Sequence, residues 1–170
     1  MLEVGPARDG EADSIAAVLA ANAEDLSLFQ RDAPDVARHL GDFVVARDGD
    51  RIVGCAALKV HAPWLAEILS VSVLPERQGT GVGRRLVAAC EARAAELGIA
   101  TVCLATVKAS YFARFGYAAG SRWAFLLRAA GPGVALNKLG AVFSQPPGRW
   151  VPALLGRHTW MRRDLGGARR

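Results

Sequence analysis

The chain has 170 residues, of which 52% are apolar, 22% charged and 7% aromatic, with a net charge of +5. That length suits one domain with a sizeable core, and the composition excludes disorder, a collagen-like repeat and a coiled coil. No stretch reaches the roughly 18 uncharged apolar residues of a membrane helix, and Met1 to Gly10 carries Glu3, Arg8 and Asp9 without an apolar run, so neither a span nor a secretory signal is expected and the cytoplasm is the expected compartment.

Cys55, Cys90 and Cys103 are odd in number, widely spaced and each set in an apolar run, which fits buried reduced thiols and neither a disulfide framework nor a CxxC metal site. The charge is uneven. Residues 1–120 hold 12 Lys and Arg against 15 Asp and Glu, a net of −3, whereas residues 121–170 hold 9 against Asp164 alone, a net of +8. The basic part is either a surface for an anionic ligand or a solvated arginine-rich tail. No helix-turn-helix, zinc-finger or RNA-binding signature accompanies it, which argues against a nucleic-acid partner.

In chain order, Leu2 to Val4 reads as a first strand. Asp9 or Asp13 then caps a helix to about Asn22, with Ile15, Val18 and Leu19 on one face. Pro34 opens a second helix over Asp35 to Leu40. Phe43–Ala46 and Ile52–Val60 flank Asp48-Gly49 and predict a hairpin, with a break at His61 to Trp64. Glu67 to Val73 is a further strand, Pro75 to Thr80 a loop and Gly81 to Leu97 a helix whose apolar face reads Val82, Leu86, Cys90, Ala94 and Leu97. Gly98 closes it, and Thr101 to Thr106 is a strand that the βαβ pattern makes parallel to 67–73. A short helix over Ala109 to Phe115 stops at Gly116. Beyond it, a strand at 123–128, a turn at 131–133, a helix at 135–143 and a closing strand at Thr159 to Leu165 are expected, with Trp123, Trp150 and Trp160 as packing residues. The expected domain is residues 1–165, with 121–158 an extended closing segment and 166–170 a frayed tail.

The segment from Gln78 to Arg85 carries most of the chemistry. Gly79, Gly81 and Gly83 remove the Cβ atoms that would keep an anion off the backbone at a helix start. Arg84 and Arg85 oppose the helix dipole in the first turn, which makes sense mainly beside an anion. A dinucleotide GxGxxG fails at Arg84 or at Leu86, and no G-K-[S/T] occurs.

These residues resemble a family. Gln78-x-x-Gly81-x-Gly83 is similar to the [Q/R]-x-x-G-x-[G/A] signature of the GCN5-related N-acetyltransferases. The resemblance extends to the strand ending Val71-x-Val73-x-Pro75 before it, to the helix closed by Gly98, and to Tyr111-Phe112-x-Arg114-x-Gly116-Tyr117. Glu67-Ile68-Leu69 and Tyr111-Phe112 are similar to the bacterial N-acetylglutamate synthase-like amino-acid acetyltransferases.

The resemblance implies an α/β (α+β) fold, a mixed, mostly antiparallel sheet with helices on both faces and a parallel pair splayed around acetyl-CoA. It implies a pyrophosphate held by N–H groups of Gly79, Thr80, Gly81, Val82, Gly83 and Arg84 with help from the Gln78 side chain. A pantetheine arm would lie along Val71 and Val73, and the acetyl carbonyl would be polarised by an N–H near Val73. The family's leaving-group tyrosine falls at Phe112, with Tyr111 one residue early and pointing about 100° away, so Phe112 is expected to line the cofactor site without supplying an acid.

Acetyl transfer to an amine needs a base. Glu67 is the only acid between Asp50 and Glu76, heads the strand, and has no Lys or Arg within seven positions. It is the candidate, with His61 as the alternative; His39 and His158 are taken as structural. Partial desolvation would raise the pKa of such a carboxylate. The expected function is an acetyl-CoA-dependent N-acetyltransferase acting on a small-molecule amine, an amino acid among them, with no metal and no membrane partner. The alternatives are a non-catalytic acyl-CoA-binding or sensor domain and a protein N-acetyltransferase. The segment after Gly120 would either line the acceptor site or form a homodimer surface.

Overall fold

The computed structural model describes residues 1–22, 31–120 and 158–166. The expected strand at 123–128, turn at 131–133, helix at 135–143, Trp123 and Trp150, and nearly all of the 121–158 segment lie outside them.

The first strand, β1 (Leu2–Pro6), pairs antiparallel with β2 (Phe43–Asp48). The Asp48-Gly49 turn joins β2 to β3 (Arg51–Ala62), and β3 pairs antiparallel with β4 (Leu65–Val73). Chain crossover through helix α3 (Val82–Glu96) then brings β5 (Thr101–Thr106) beside β4 in parallel, as the βαβ pattern requires. On its other side β5 pairs with β7 (Thr159–Asp164), which also carries the two-residue edge strand β6 (Ala118–Ala119). The described residues thus form one seven-stranded sheet in the order β1-β2-β3-β4-β5-β7-β6. It is antiparallel except at β4–β5.

Helices cover both faces. Ile15, Val18 and Leu19 of α1 (Ala12–Ala20) are buried on one, and Val82, Leu86, Val87, Cys90 and Ala94 of α3 on the other. Neighbouring residues of β4 show the alternation: the Ser72 hydroxyl donates to the Val18 carbonyl of α1 at 3.1 Å, whereas Val73 lies beside Gly83 of α3. Leu97, expected on the buried stripe, is 55% exposed, because the helix ends at Glu96 and the chain turns away. The three cysteines are buried free thiols, and burial pushes Cys55 and Cys90 up to about 12.

Three boundaries differ from expectation for physical reasons. The residue ahead of α1 is Glu11, not Asp9 or Asp13, and it makes no side-chain cap. Its carboxylate instead accepts from Arg47 Nε and Nη2, each at 2.7 Å, while Arg47 also donates to the Pro6 carbonyl at 2.9 Å. Helix α2 (Ala33–Arg38) starts earlier than expected, because Asp32 accepts from the Asp35 N–H at 2.9 Å and sets Pro34 in the first turn. Strand β3 continues through His61 to Ala62, and a register irregularity between Val60 and Ala62 accommodates the extra length. A short helix, α4 (Ala109–Ala113), follows β5.

Candidate active site

The parallel ladder is short. Leu65, Ala66 and Glu67 face Thr101, Val102 and Cys103, and the register ends there. Beyond it β4 carries an irregularity: Ser70 sits at φ 53, and Ser70 and Val71 together oppose Ala56 where regular pairing would place one residue. A two-against-one bulge bends a strand and re-aims its backbone groups. The positive φ of a non-glycine residue marks strain held in place by the ladder on both sides. Strands β4 and β5 therefore part just after Glu67.

Glu67 stands at that vertex, buried. The sequence expectation that no local ion pair accounts for it is corrected here. The continued β3 brings His61 across from it, with Nε2 2.8 Å from Glu67 Oε2 and both side chains about equally enclosed, at 5% and 4% exposure. The two alternative bases form one hydrogen-bonded pair.

At the far end of β4, six residues on, the chain enters the glycine turn. Gly79 and Gly81 adopt φ +77 and +87, and a Cβ at either would meet nothing within 4 Å. Both positions need glycine for backbone conformation and both face open space. Gly81 precedes α3 with no side-chain cap, and the first intrahelical bond of the turn runs from Arg85 N–H to Gly81. The N–H groups of Val82, Gly83 and Arg84 thus point out of the helix end, where an anion gains from the dipole. The Val82 side chain is buried, so only its backbone serves, and Arg84 is exposed. Thr80 Oγ1 is bonded to the Arg77 carbonyl at 2.7 Å and shapes the turn.

Gly83 differs from its two companions. Its φ is ordinary, but a Cβ there would stand 2.6 Å from Tyr111 Oη and 3.8 Å from Val73 Cγ2. Tyr111, not Phe112, reaches the cofactor turn. Phe112 is buried, with its ring edge-on to Tyr111 and Tyr117 at 5.1 and 6.0 Å. Burial pushes the Tyr111 phenol above its ordinary pKa, which keeps it a proton donor at neutral pH.

The Gln78 side chain also differs from expectation. Its Nε2 donates to Asn22 Oδ1 at 3.0 Å and to the Val73 carbonyl at 3.2 Å, so it folds back on the protein. The N–H expected near Val73 for the acetyl carbonyl stands six residues from Glu67, beside the glycine turn. Val71 lies within the bulge.

Residues not foreseen as partners are Asn22 and the phenol of Tyr111. Asn22 had no signal beyond ending a helix, since its contacts lie 50 and 56 residues away. The arrangement fits a phosphate-bearing chain: an open glycine turn at an uncapped helix end, a slot between parting strands, and a buried acid–base pair at the vertex. Among the described residues no group of three His, Cys, Asp or Glu could hold a metal, and no helix is long and apolar enough to cross a membrane.

Comparison with known proteins agrees. Residues 13–117 match the model of the acetyltransferase (GNAT) family. An uncharacterised N-acetyltransferase of Chlorobaculum tepidum is 33% identical over 65% of this chain and 72% of its own length. An amino-acid acetyltransferase of Neisseria meningitidis is 30% identical over 68% of this chain but only 27% of its own length, so this chain spans about a quarter of that relative. Among solved structures, the N-acetylglutamate synthase of Neisseria gonorrhoeae with coenzyme A and N-acetylglutamate superposes with a TM-score of 0.73 at 24% identity, over 97% of this chain and 35% of that one. Rv2747 of Mycobacterium tuberculosis, solved with CoA, gives 0.74 at 23% identity over 95% and 98%. The splayed parallel pair, the glycine turn and a family match over more than half its length place this chain in the GNAT family of acetyltransferases.

Proposed function

We propose that the protein transfers the acetyl group of acetyl-CoA to the amine of a small, carboxylate-bearing molecule, an amino acid being the simplest. The observation that carries this reading is that one strand, β4, has the open glycine turn at one end and the buried Glu67–His61 pair at the other. Val73, which packs beside Gly83, lies six residues from Glu67, at most about 20 Å at about 3.3 Å per residue, the scale of an extended pantetheine arm.

In this reading the N–H groups of Gly79, Thr80, Gly81, Val82, Gly83 and Arg84 hold the pyrophosphate, and the parted backbone of β4 around Val71 takes the pantetheine amides. When bound, acetyl-CoA supplies a thioester-activated acetyl group. Glu67, with His61 on its carboxylate, accepts the proton of the incoming ammonium so that a neutral amine can attack. The bulge at Ser70 aims a backbone N–H toward the vertex as the oxyanion donor, a place nearer Glu67 than Val73 is. The acceptor class is supported by the amino-acid acetyltransferases among the relatives and by the net +8 of residues 121–170, which would repel polyamines and attract carboxylates.

The test is release of free thiol from acetyl-CoA with a panel of acidic amino acids, neutral amino acids, polyamines and a lysine peptide. Turnover on amino acids and not on polyamines is expected. CoA binding without thiol release on any amine would favour an acyl-CoA-binding domain. Turnover confined to the peptide would favour a protein acetyltransferase.

A further inference from the structure

We infer that Asn22 is a positioning residue for the cofactor turn: its side-chain amide, reaching from the end of α1, fixes Gln78 and so holds the turn that follows in its anion-binding shape. The inference rests on the acetyl-CoA reading above.

The argument begins with the cost of the turn. Gly79 and Gly81 hold φ values that other residues avoid, and glycine loses more backbone entropy on ordering than any other residue. Their open surroundings provide no packing to hold them. Beyond the bond from the Thr80 hydroxyl to the Arg77 carbonyl, the turn is fixed from its ends. Downstream it runs into α3. Upstream, Gln78 is the last residue before the glycines, and its side chain is the handle.

Asn22 grips that handle. Its Oδ1 accepts from Gln78 Nε2 at 3.0 Å. The two N–H groups of its Nδ2 are shared among three acceptors, Ser72 Oγ at 2.8 Å, the Val73 carbonyl at 3.1 Å and the Val18 carbonyl at 3.2 Å. Ser72 is itself buried and tied to the same Val18 carbonyl. Both Asn22 and Gln78 thus converge on the carbonyl of Val73, the last residue of β4. One amide joins the end of α1, the end of β4 and the start of the glycine turn. The anchoring bonds lie on α1 and β4, so the turn is referenced to the sheet and not only to α3. Preorganised donors bind an anion without the ordering cost that a loose turn would incur at each encounter.

The experiment measures CoA binding by titration calorimetry on the full chain, with wild type, Asn22→Ala, Gln78→Ala and the double variant, alongside steady-state kinetics and thermal unfolding. Loss of about one to two hydrogen bonds from the network predicts a rise of about tenfold in the CoA dissociation constant for each single variant. The double variant should be no worse than either single one, because both break the same link. The Michaelis constant for acetyl-CoA should rise with turnover at saturation nearly unchanged. Asn22→Asp keeps the oxygen that receives Gln78 but loses Nδ2; it should fall between wild type and Asn22→Ala. Equal CoA affinity in wild type and Asn22→Ala overturns the inference while leaving the acetyl-CoA reading intact. Fully additive losses in the double variant also overturn it, as does a lowered melting temperature with unchanged affinity. No CoA binding by the wild type sinks both.

Discussion

Two acid–base pairs, one at each of two places against the same sheet, stand in different settings. Arg47 on β2 meets Glu11 ahead of α1, with side-chain exposures of 4% and 18%; His61 on β3 meets Glu67 on β4, with 5% and 4%. Burial alone does not separate them. Chemistry and location do. The guanidinium is permanently charged and makes three hydrogen bonds, two to the carboxylate and one to the Pro6 carbonyl, so the N-terminal pair is a fixed clasp. His61 Nε2 instead meets a single oxygen of Glu67 at 2.8 Å, and this pair stands at the vertex where β4 and β5 part. A buried pair is a candidate for chemistry where the backbone beside it opens, and a structural clasp where the backbone stays paired.

Four predictions bear on that contrast. The largest effect is expected from Glu67→Gln, which keeps the size and a hydrogen bond toward His61 but removes the proton acceptor. Turnover should fall by about 10²–10⁴ with CoA affinity retained, and the acidic limb of the pH–rate profile should flatten. Unchanged turnover across that profile would make the two pairs alike, both structural.

Glu11→Ala should do the reverse. It leaves Arg47 buried without its partner, which costs about 3 kcal/mol of stability, read by denaturant unfolding, with the specific activity of the folded protein unchanged. A loss of activity in folded Glu11→Ala protein would break the contrast.

Next in size is the acid response of the clasp. Hydrogen bonds from Arg47 hold the Glu11 carboxyl below its ordinary value of 4.5. A depressed folded-state value means that the contribution is fully present above the unfolded value and fades as pH falls through the folded one. Stability should therefore drop below about pH 4.5, and the Glu11→Gln variant should show a shallower drop over the same window.

The smallest effect comes from an uncharged contact near the other end of β4. Gly83→Ala should destabilise by about 1–3 kcal/mol, because its Cβ meets the Tyr111 hydroxyl in a packed ring cluster. Adding Tyr111→Phe should restore most of that loss, since the next atom, Cζ, is 3.7 Å away, an ordinary contact. Neither change should alter the acid response. No recovery in the double variant would mean that the small side chain at 83 serves the ligand and not the ring.

Much of this was legible from local pattern. Asp48-Gly49 between two β-prone runs gave the hairpin, and the βαβ spacing gave β5 at Thr101–Thr106 and its parallel partner. The glycine turn could be placed because three glycines at alternate positions before an amphipathic helix admit few readings. What escaped depends on contacts distant in sequence. Glu11, and not the expected Asp9 or Asp13, precedes α1, and its carboxylate binds Arg47, 36 residues on. His61 was read as a break because Pro63 is close; β3 instead runs on past Lys59, the residue opposite Glu67, and the His61 side chain reaches Glu67 from two residues further along. The exchange between Tyr111 and Phe112 turns on which face of a one-turn helix meets the core, and five residues hold too little periodicity to say. Strand β6, at two residues, leaves no pattern at all.

The short parallel ladder has one more consequence. A sheet ordinarily has two edges, each at risk of recruiting a stray strand. Once the register between β4 and β5 ends at Glu67 and Cys103, this sheet gains a second kind of edge, located in its interior. Its backbone groups face inward across a slit, with β3 behind one lip and β7 behind the other. Side chains stand perpendicular to the sheet, so a polypeptide threading the slit would have to bring its own past both covering layers of helix. A chain of amides with no side chains would not.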